Sequence, residues 1–394
     1  MTQSKVNKPS VMIGLFVILA LLSLNAIGPF YNYQTIVLFG LIPFLFLISF
    51  RKDIYTLDKG NGEILIYTLI IIVTLSTIFY GINFELFSVA FNGIIISLIA
   101  AYIPIGLNKN YDYGDYFHLG FILSIITLIL IEYSIGNFSL TGFANVKASR
   151  GRFSFNANYY SYISYFANFS LFYLHLKYKN ILTRIVLIIL PVLFIILSFV
   201  TQSRSGLLFI LILNGFYWFT IVKNHNSNVL SKIVQKIVLI VIAVLFVIKL
   251  IDTYQNSQIK SRISKSAEDS RKDLASEALN VFADYPVLGV GLGQFPIYSK
   301  SGQFSHNSYT EILAEHGIIG GILLLFLFGV PTLKSYHNLK KNCKDPMLRL
   351  NFMFFISFLL YNNAYVFYKA SYAMIYFFLI ISIQNKLNVT KGEI

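Results

Sequence analysis

The sequence predicts an all-α protein that crosses a membrane many times. Hydrophobic residues make up 56% of the chain and charged residues 12%, whereas an ordinary globular domain has roughly a quarter of its residues charged. Apolar runs of roughly 20 residues, the length that a helix needs to cross a bilayer, recur along the sequence. Because backbone polar groups in lipid must be satisfied within the segment itself, helices are the expected form.

The apolar runs predict about twelve transmembrane helices within a single integral membrane domain, residues 1–394. The first run follows Lys5 and Lys8 but lacks a small-x-small cleavage site, so a membrane helix is expected there rather than a cleaved signal peptide. The predicted spans lie near residues 11–30, 34–50, 64–80, 86–107, 117–135, 159–176, 181–200, 205–222, 234–251, 313–333, 350–368 and 370–385.

Lysine and arginine are concentrated in alternate loops, which is the positive-inside pattern of a multi-pass membrane protein. This pattern predicts that both termini are cytoplasmic, and it accounts for the net charge of +14 without nucleic-acid binding. The basic loops include Lys5 and Lys8; Arg51, Lys52 and Lys59; Lys109; Lys177, Lys179 and Arg184; Lys223, Lys232 and Lys236; Lys334, Lys340, Lys341, Lys344 and Arg349; and Lys386 and Lys391.

Two sets of arginines lie on the predicted outer side before the large outer loop that begins near residue 252. Arg150 and Arg152 lie in an outer loop, residues 136–158, and either anchor the chain at the headgroups or capture an anion. Arg204 lies in the tight turn Thr201–Gly206, between two apolar runs. An arginine near membrane depth is costly and usually has a partner, although a snorkelling side chain at a helix end is an alternative.

A large outer loop is predicted over residues 252–308, where six basic residues balance six acidic ones. Within it, Leu274, Ala278 and Phe282 (with Val281 beside it) recur at helical spacing with polar residues opposite them. A short amphipathic helix is therefore expected over residues 270–284, with Ser270 as N-cap and Pro286 as its stop. Its expected role is that of a lid or strut.

The second half of this loop carries the features that most favour chemistry. The glycines of Gly289–Gly293 lack the dinucleotide spacing, but they allow either close approach of a ligand or a tight turn back towards the membrane. Ser308 and Glu311 match a capping box, which predicts a helix starting at Ser308. His306 would then lie beside a helix N-terminus, where a neutral imidazole can take a proton from a hydroxyl group.

Several site classes find no support in the sequence. The six histidines are scattered without metal-ligand spacing, the single Cys343 excludes an internal disulfide, and there is no hydrolase order of Ser, Asp and His and no nucleotide-binding motif. The first predicted outer loop, near residues 28–33, has no acidic residue. We therefore expect chemistry without a metal or another cofactor.

Four segments occur in an order that resembles a known family. They are Arg-Gly-x-Phe-x-x-Asn-x-Asn near residues 150–158, Ser-Arg-Ser-Gly within 201–206, the outer loop with Pro-x-x-Gly-x-Gly and His-Asn, and Glu-x-Gly-x-x-Gly at 315–320. This combination resembles the O-antigen ligase and polysaccharide polymerase superfamily, which covers lipopolysaccharide ligases and Wzy-type polymerases. The corresponding family core would be about residues 185–335.

The resemblance implies a glycosyltransferase of the bacterial cytoplasmic membrane with its active site on the extracytoplasmic face. Its substrate would be an oligosaccharide on undecaprenyl pyrophosphate, and membrane lipid, a flippase and a chain-length regulator would be further partners. His306 matches the base on the acceptor hydroxyl, Arg204 and Arg271 match arginines that hold pyrophosphate, and the remaining candidate binding residues are Arg150, Arg152, Asn158, Asn307, Gly289 and Gly291. A capsule or O-antigen polymerase is the leading expectation, a ligase the nearest alternative and a lipid-linked glycan transporter the second.

Overall fold

The structure is a computed structural model that describes residues 9–31, 33, 36–49, 68, 70, 83–138, 153–221 and 270–391. Helices make up its regular structure over these residues, with no strand among them, which confirms the all-α prediction for the described part of the chain. The longer helices are α1 (Val11–Phe30), α2 (Val37–Ser49), α3 (Phe84–Asn110), α4 (Gly114–Ser134), α5 (Ala157–Tyr178), α6 (Ile181–Val200), α7 (Arg204–Ile221), α8 (Ser270–Asp284), α9 (Phe295–Tyr298), α10 (Ser308–Lys341), α11 (Pro346–Tyr361) and α12 (Ser371–Lys391).

Six of the described helices, α1, α3, α4, α6, α7 and α10, are long and apolar enough to cross a membrane. Two shorter apolar helices, α2 and α11, coincide with further predicted spans. The predicted spans near residues 64–80 and 234–251 lie almost wholly outside the described residues. A polytopic helical membrane protein is thus confirmed, whereas the count of about twelve spans stays a prediction.

Helix α5 is long enough to cross a bilayer, but tyrosine, serine and asparagine make it less apolar than the six candidate spans. Its side chains from Tyr160 to His175 are all buried. A helix that is covered by protein on every side does not need the apolar surface that lipid demands, and polar side chains can sit between helices. Its burial therefore explains how a helix of this composition occupies a core position.

The chain divides into two compact units, residues 1–124 with 269–394, and residues 125–268. In the first unit, α3 packs against α12, and α10 packs against α8 and α11. Aromatic rings fill the core between α10, α11 and α12, and Phe358 and Phe377 stack with their centroids 5.1 Å apart. In the second unit, α5 packs against α6 and α7.

Within the first unit, helix ends that the charge pattern assigns to one side of the membrane lie together. The amide of Asn108 donates a hydrogen bond of 3.1 Å to Ser382, and the Nζ of Lys386 donates one of 2.5 Å to the carbonyl oxygen of Tyr111. These four residues belong to the ends of α3 and α12 that are predicted to be cytoplasmic. The two helices therefore run parallel, as two spans that both cross inwards must.

Candidate functional site

The described candidate residues belong to both units. Residues of the first unit are Arg271, Gly289, Gly291, His306 and Asn307; those of the second are Asn158 and Arg204. Arg150 and Arg152 lie outside the described residues.

His306 lies in a tight turn, residues 305–307, which we call the histidine turn. Its φ is 57°, in the left-handed region that histidine visits more often than most residues with a Cβ do. The hydroxyl of Ser305 accepts a bond from the amide N–H of Asn307 at 3.3 Å and donates one to its carbonyl oxygen at 3.0 Å. The two neighbours of His306 are thus tied to each other, and its half-buried side chain is carried on a defined backbone.

Helix α10 begins at Ser308, as predicted, but the predicted capping box is wrong. The side chain of Asn307 is the N-cap, accepting from the amide groups of Tyr309 at 2.9 Å and Thr310 at 3.4 Å. The hydroxyl of Ser308 is buried and donates to the side chain of Asn362 at 2.6 Å instead. Asparagine caps a helix as well as serine does. Asn307 therefore serves as the N-cap, while the hydroxyl of Ser308 is engaged in tertiary packing.

Glu311 and Glu315 form a buried cluster with Lys369 that the sequence did not reveal as a site. The Nζ of Lys369 lies 3.3 Å from Oε1 of Glu311 and 2.6 Å from Oε2 of Glu315. Burial lowers the pKa of Lys369, but Glu315 and Glu311 more than offset it, so the pKa lies above its ordinary value. In the sequence, the only indication of this cluster is Lys369 itself, a lone lysine on the predicted outer side between two apolar runs.

The glycine segment pairs with a break in α10, an arrangement that we call the glycine clasp (residues 286–293 and 314–318). At Gly317 the backbone leaves helical geometry, with φ 61° and ψ −159°. The carbonyl oxygens of Ala314 and Glu315 accept from the amide groups of Val290 and Gly291, both at 2.9 Å. Every backbone group freed by a helix break needs another partner, and the glycine segment supplies these.

The clasp requires glycine at two positions, because backbone atoms of the other segment lie where a Cβ would be. A Cβ on Gly289 would lie 2.4 Å from the carbonyl carbon of Glu315, and one on Gly317 would lie 2.3 Å from the carbonyl oxygen of Val287. The amide of Gly293 also donates to Oε1 of Glu315 at 3.0 Å. The structure thus shows close approach of the segment to the backbone of α10, whereas the turn back towards the membrane and substrate contact by Gly289 and Gly291 stay predictions.

Helix α8 spans Ser270–Asp284, as predicted, and covers the glycine clasp. Its side chains Leu274, Ala278 and Val281 are buried against a cluster that includes Val290, Phe295 and Ala314. Phe282, the other predicted member of the apolar face, is only half-buried. Arg271 is half-buried and lies one turn before Leu274 on the same side of the helix, next to the packed face.

In the second unit, Arg204 is the first residue of α7. The preceding turn, residues 201–203, is buried, and the hydroxyl of Ser203 caps the helix by accepting from the amide of Gly206 at 3.3 Å. Gln202 in this turn has a φ of 54°. Arg204 is half-buried, and Asn158 lies in the first turn of α5 and is also half-buried. The structure thus places Arg204 at a capped helix start that follows a buried turn.

Glu132, at the end of α4, is a fully buried carboxylate that the sequence reasoning missed. It accepts hydrogen bonds from the hydroxyl of Tyr160, from the side chain of Asn137 at 2.8 Å and from the amide of Ser154 at 3.1 Å. Asn137 and Ser154 flank the undescribed stretch that contains Arg150 and Arg152. The carboxylate therefore fastens both described ends of the predicted outer loop, residues 136–158.

Among the described residues, no group of three or more His, Cys, Asp or Glu side chains is arranged to hold a metal ion. The polar side chains of the candidate site that the structure places are arginine, histidine and asparagine, which suit anion binding and proton transfer.

A comparison with protein families gives a match over the region just described. The family model described as O-Antigen ligase matches residues 189–325, which include Arg204, Arg271, the glycine segment and the histidine turn. No curated protein matches the chain. The resemblance predicted from the motifs is confirmed in this segment: residues 189–325 carry a domain of the O-antigen ligase and polysaccharide polymerase superfamily.

Proposed function

We propose that the protein is a polysaccharide polymerase for a capsule or an O-antigen. It transfers a growing glycan from undecaprenyl pyrophosphate to a sugar hydroxyl of another lipid-linked repeat unit, on the extracytoplasmic face of the bacterial cytoplasmic membrane. The observation that carries the proposal is the histidine turn at the start of α10, within the segment that matches the O-antigen ligase family.

The proposed chemistry assigns a separate task to each group. His306 takes the proton of the acceptor hydroxyl, which is a poor nucleophile without a base. Arg204 and Arg271, with Arg150 or Arg152, neutralise the pyrophosphate, because the guanidinium fork matches phosphate oxygens. The hydroxyl oxygen bonds to the anomeric carbon as the bond to pyrophosphate breaks on the opposite face, so the configuration inverts without a metal. Asn158 and Asn307 are assigned to substrate binding.

A second candidate is a ligase that hands a finished glycan to lipid A, a wall polymer or a protein. The description of the matching family, O-Antigen ligase, favours this alternative. Both reactions use the same donor, and they differ only in the acceptor. A flippase and a chain-length regulator are proposed partners in either case.

The test uses purified protein, the lipid-linked repeat unit alone and a gel of the products, with His306→Ala alongside. A product ladder that is lost in the variant supports a polymerase with His306 in its site. If the ladder forms only after lipid A or another acceptor is added, the ligase replaces the polymerase. If no acceptor gives a product, a transporter remains, and movement of the lipid-linked unit across vesicle membranes would then be measured.

A further inference from the structure

We propose that Glu311 is a positioning residue, which fixes the histidine turn so that the imidazole of His306 meets the acceptor hydroxyl. The inference rests on the proposed function, in which His306 is the base. It adds a group that lies inside the protein and reaches the reaction only through the backbone that carries the histidine.

Glu311 is hydrogen-bonded to the backbone of the histidine turn. Glu311 is fully buried, and its Oε2 accepts the amide N–H of Ser305 at 2.7 Å. Ser305 directly precedes His306 and is itself bonded to Asn307, which caps α10. The carboxylate, one turn inside the helix, thus joins the turn to the helix that follows it.

His306 has a left-handed backbone conformation. Its φ of 57° is unfavourable for a residue with a Cβ, so it persists only where the surroundings determine it. The bonds made by Ser305 and Asn307 determine it from both sides. Without the carboxylate, the turn has a lower-energy extended conformation available, and the imidazole would be displaced.

The two carboxylates that share Lys369 bind different backbone segments. Glu311 holds the histidine turn, whereas Glu315 holds the amide of Gly293 in the glycine clasp. Lys369 supplies the positive charge that allows both carboxylates to be buried. Each carboxylate uses one oxygen for Lys369 and the other for a backbone amide, so both bonds need an acceptor and a glutamine offers only one.

This arrangement makes Glu311→Gln a precise test. A glutamine has one accepting oxygen and one donating nitrogen. At position 311 its nitrogen would face either the ammonium of Lys369 or the amide of Ser305, so one of the two bonds is lost. Glu277→Gln is the matched control: Oε2 of Glu277 accepts the amide of Lys300 at 3.1 Å on the surface, and a glutamine can keep that bond.

The first measurement is hydrogen–deuterium exchange of the full-length protein in detergent. Glu311→Gln is expected to increase the rate of deuterium uptake at least tenfold in peptides that contain Ser305–Asn307. Glu315→Gln is expected to raise it instead in peptides that contain Gly291–Gly293, and Glu277→Gln should change neither. Equal uptake at the histidine turn in Glu311→Gln and the wild type would overturn the hold that we infer.

The second measurement is transfer from the lipid-linked repeat unit. Glu311→Gln is expected to lower kcat about tenfold to a hundredfold while leaving the KM for the donor unchanged, because a misplacement of about 1 Å at a reacting group has effects of this size. In the His306→Ala background the same change should have less than a twofold further effect. A wild-type kcat in Glu311→Gln, or a raised donor KM alone, would overturn the positioning role.

The two proposals fail in different ways. If His306→Ala retains wild-type transfer, the proposed role of His306 as the base falls, and the exchange measurement still decides whether Glu311 fixes the turn. If His306→Ala loses transfer while Glu311→Gln keeps it, only the positioning role falls.

Discussion

Arg204 occupies the first position of α7, where a positive charge does not favour the helix. The N-terminus of a helix carries a partial positive charge, so an arginine there gains nothing from the dipole. Its side chain is half-buried and follows a turn that is buried at residues 201–203. The proposed function gives this position a role, because the helix end and the guanidinium would both attract the pyrophosphate.

Replacement of Arg204 by alanine is expected to abolish polymer formation while the protein remains in the membrane. Arg204→Lys should restore little, because lysine lacks the fork that holds two phosphate oxygens. Polymer is measured on a gel and protein by immunoblot of membranes. Arg184→Ala, at an exposed arginine on the predicted cytoplasmic side, is the control. Normal polymer in Arg204→Ala would remove Arg204 from the site.

Loss of Lys369 should destabilise the protein strongly. Lys369→Met leaves Glu311 and Glu315 buried without their cation, a change that costs about 3–5 kcal/mol in comparable pairs. Adding Glu311→Gln and Glu315→Gln should recover much of this loss, because the uncompensated charges are then gone. The midpoint of thermal unfolding in detergent measures both effects. A single variant as stable as the wild type would show that the cluster contributes nothing.

The same cluster predicts a pH dependence. Because the pKa of Lys369 is raised in the folded protein, its stabilisation is complete below the unfolded value of 10.5 and is lost as the pH rises through the folded value above it. Between pH 7 and pH 9 the difference in thermal midpoint between the wild type and Lys369→Met should therefore not shrink, because Lys369 stays charged throughout this range. A difference that shrinks across this range would contradict a raised pKa of Lys369 in the folded protein.

At the scale of elements, the glycine clasp joins a loop to a helix through backbone atoms. The pairing uses the amide groups of Val290 and Gly291, and the amide of Ile318 donates in return to the carbonyl oxygen of Pro286 at 2.8 Å. Next to the clasp, the side chain of Gln294 bonds to both the amide and the carbonyl of Asn83, each at 3.0 Å. The loop is thereby fastened to the starts of both α3 and α10.

Two glycines with the same backbone conformation allow the cost of steric overlap to be distinguished from the cost of backbone strain. Gly289 and Gly302 have φ values of 68° and 66°, but only Gly289 has backbone atoms where a Cβ would lie. Gly302→Ala should cost about 1 kcal/mol from the left-handed conformation alone. Gly289→Ala should cost about 3 kcal/mol or more, because overlap with α10 is added to it. Equal thermal midpoints for the two variants would refute the clasp.

Local sequence patterns predicted the elements well where one periodicity or stop signal was decisive. The extent of α8 followed from the spacing of Leu274 and Ala278 and from Pro286. The cap of α10 was misassigned because Asn307 and Ser308 are both good caps, and the choice depends on a bond from Ser308 to Asn362, 54 residues away. The contacts of Lys369 join positions 58 and 54 residues apart, and no local pattern reports them.

For the whole molecule, the charge pattern and the helix packing agree in the first unit. The ends of α3 and α12 that the basic loops predict to be cytoplasmic lie together in the packed helix pair. The predicted span near residues 159–176 coincides with α5, and contacts with other parts of the protein accommodate the polar and aromatic side chains that make this helix less apolar. The composition of a buried helix is set by its neighbours, which a reading of apolar runs does not include.

The single cysteine offers a test of this orientation. Cys343 is exposed and lies in a loop that is predicted to be cytoplasmic. A membrane-impermeant maleimide should fail to label it in intact cells and label it after permeabilisation. Ser301→Cys in a Cys343→Ser background should be labelled in intact cells, because Ser301 is exposed on the large outer loop. The opposite labelling of both would invert the topology.

The glycine clasp also has a consequence for how the chain is made. Ribosomes deliver residues 286–293 before residues 314–318, so on the predicted topology the loop reaches the outer side before α10 enters the membrane. The broken turn of α10 would expose unpaired carbonyl oxygens to lipid, at a cost of several kcal/mol each, if it inserted without a partner. Because its partner is synthesised first, the break is covered as it forms, and a variant that delays export of the loop should be degraded during biogenesis rather than after assembly.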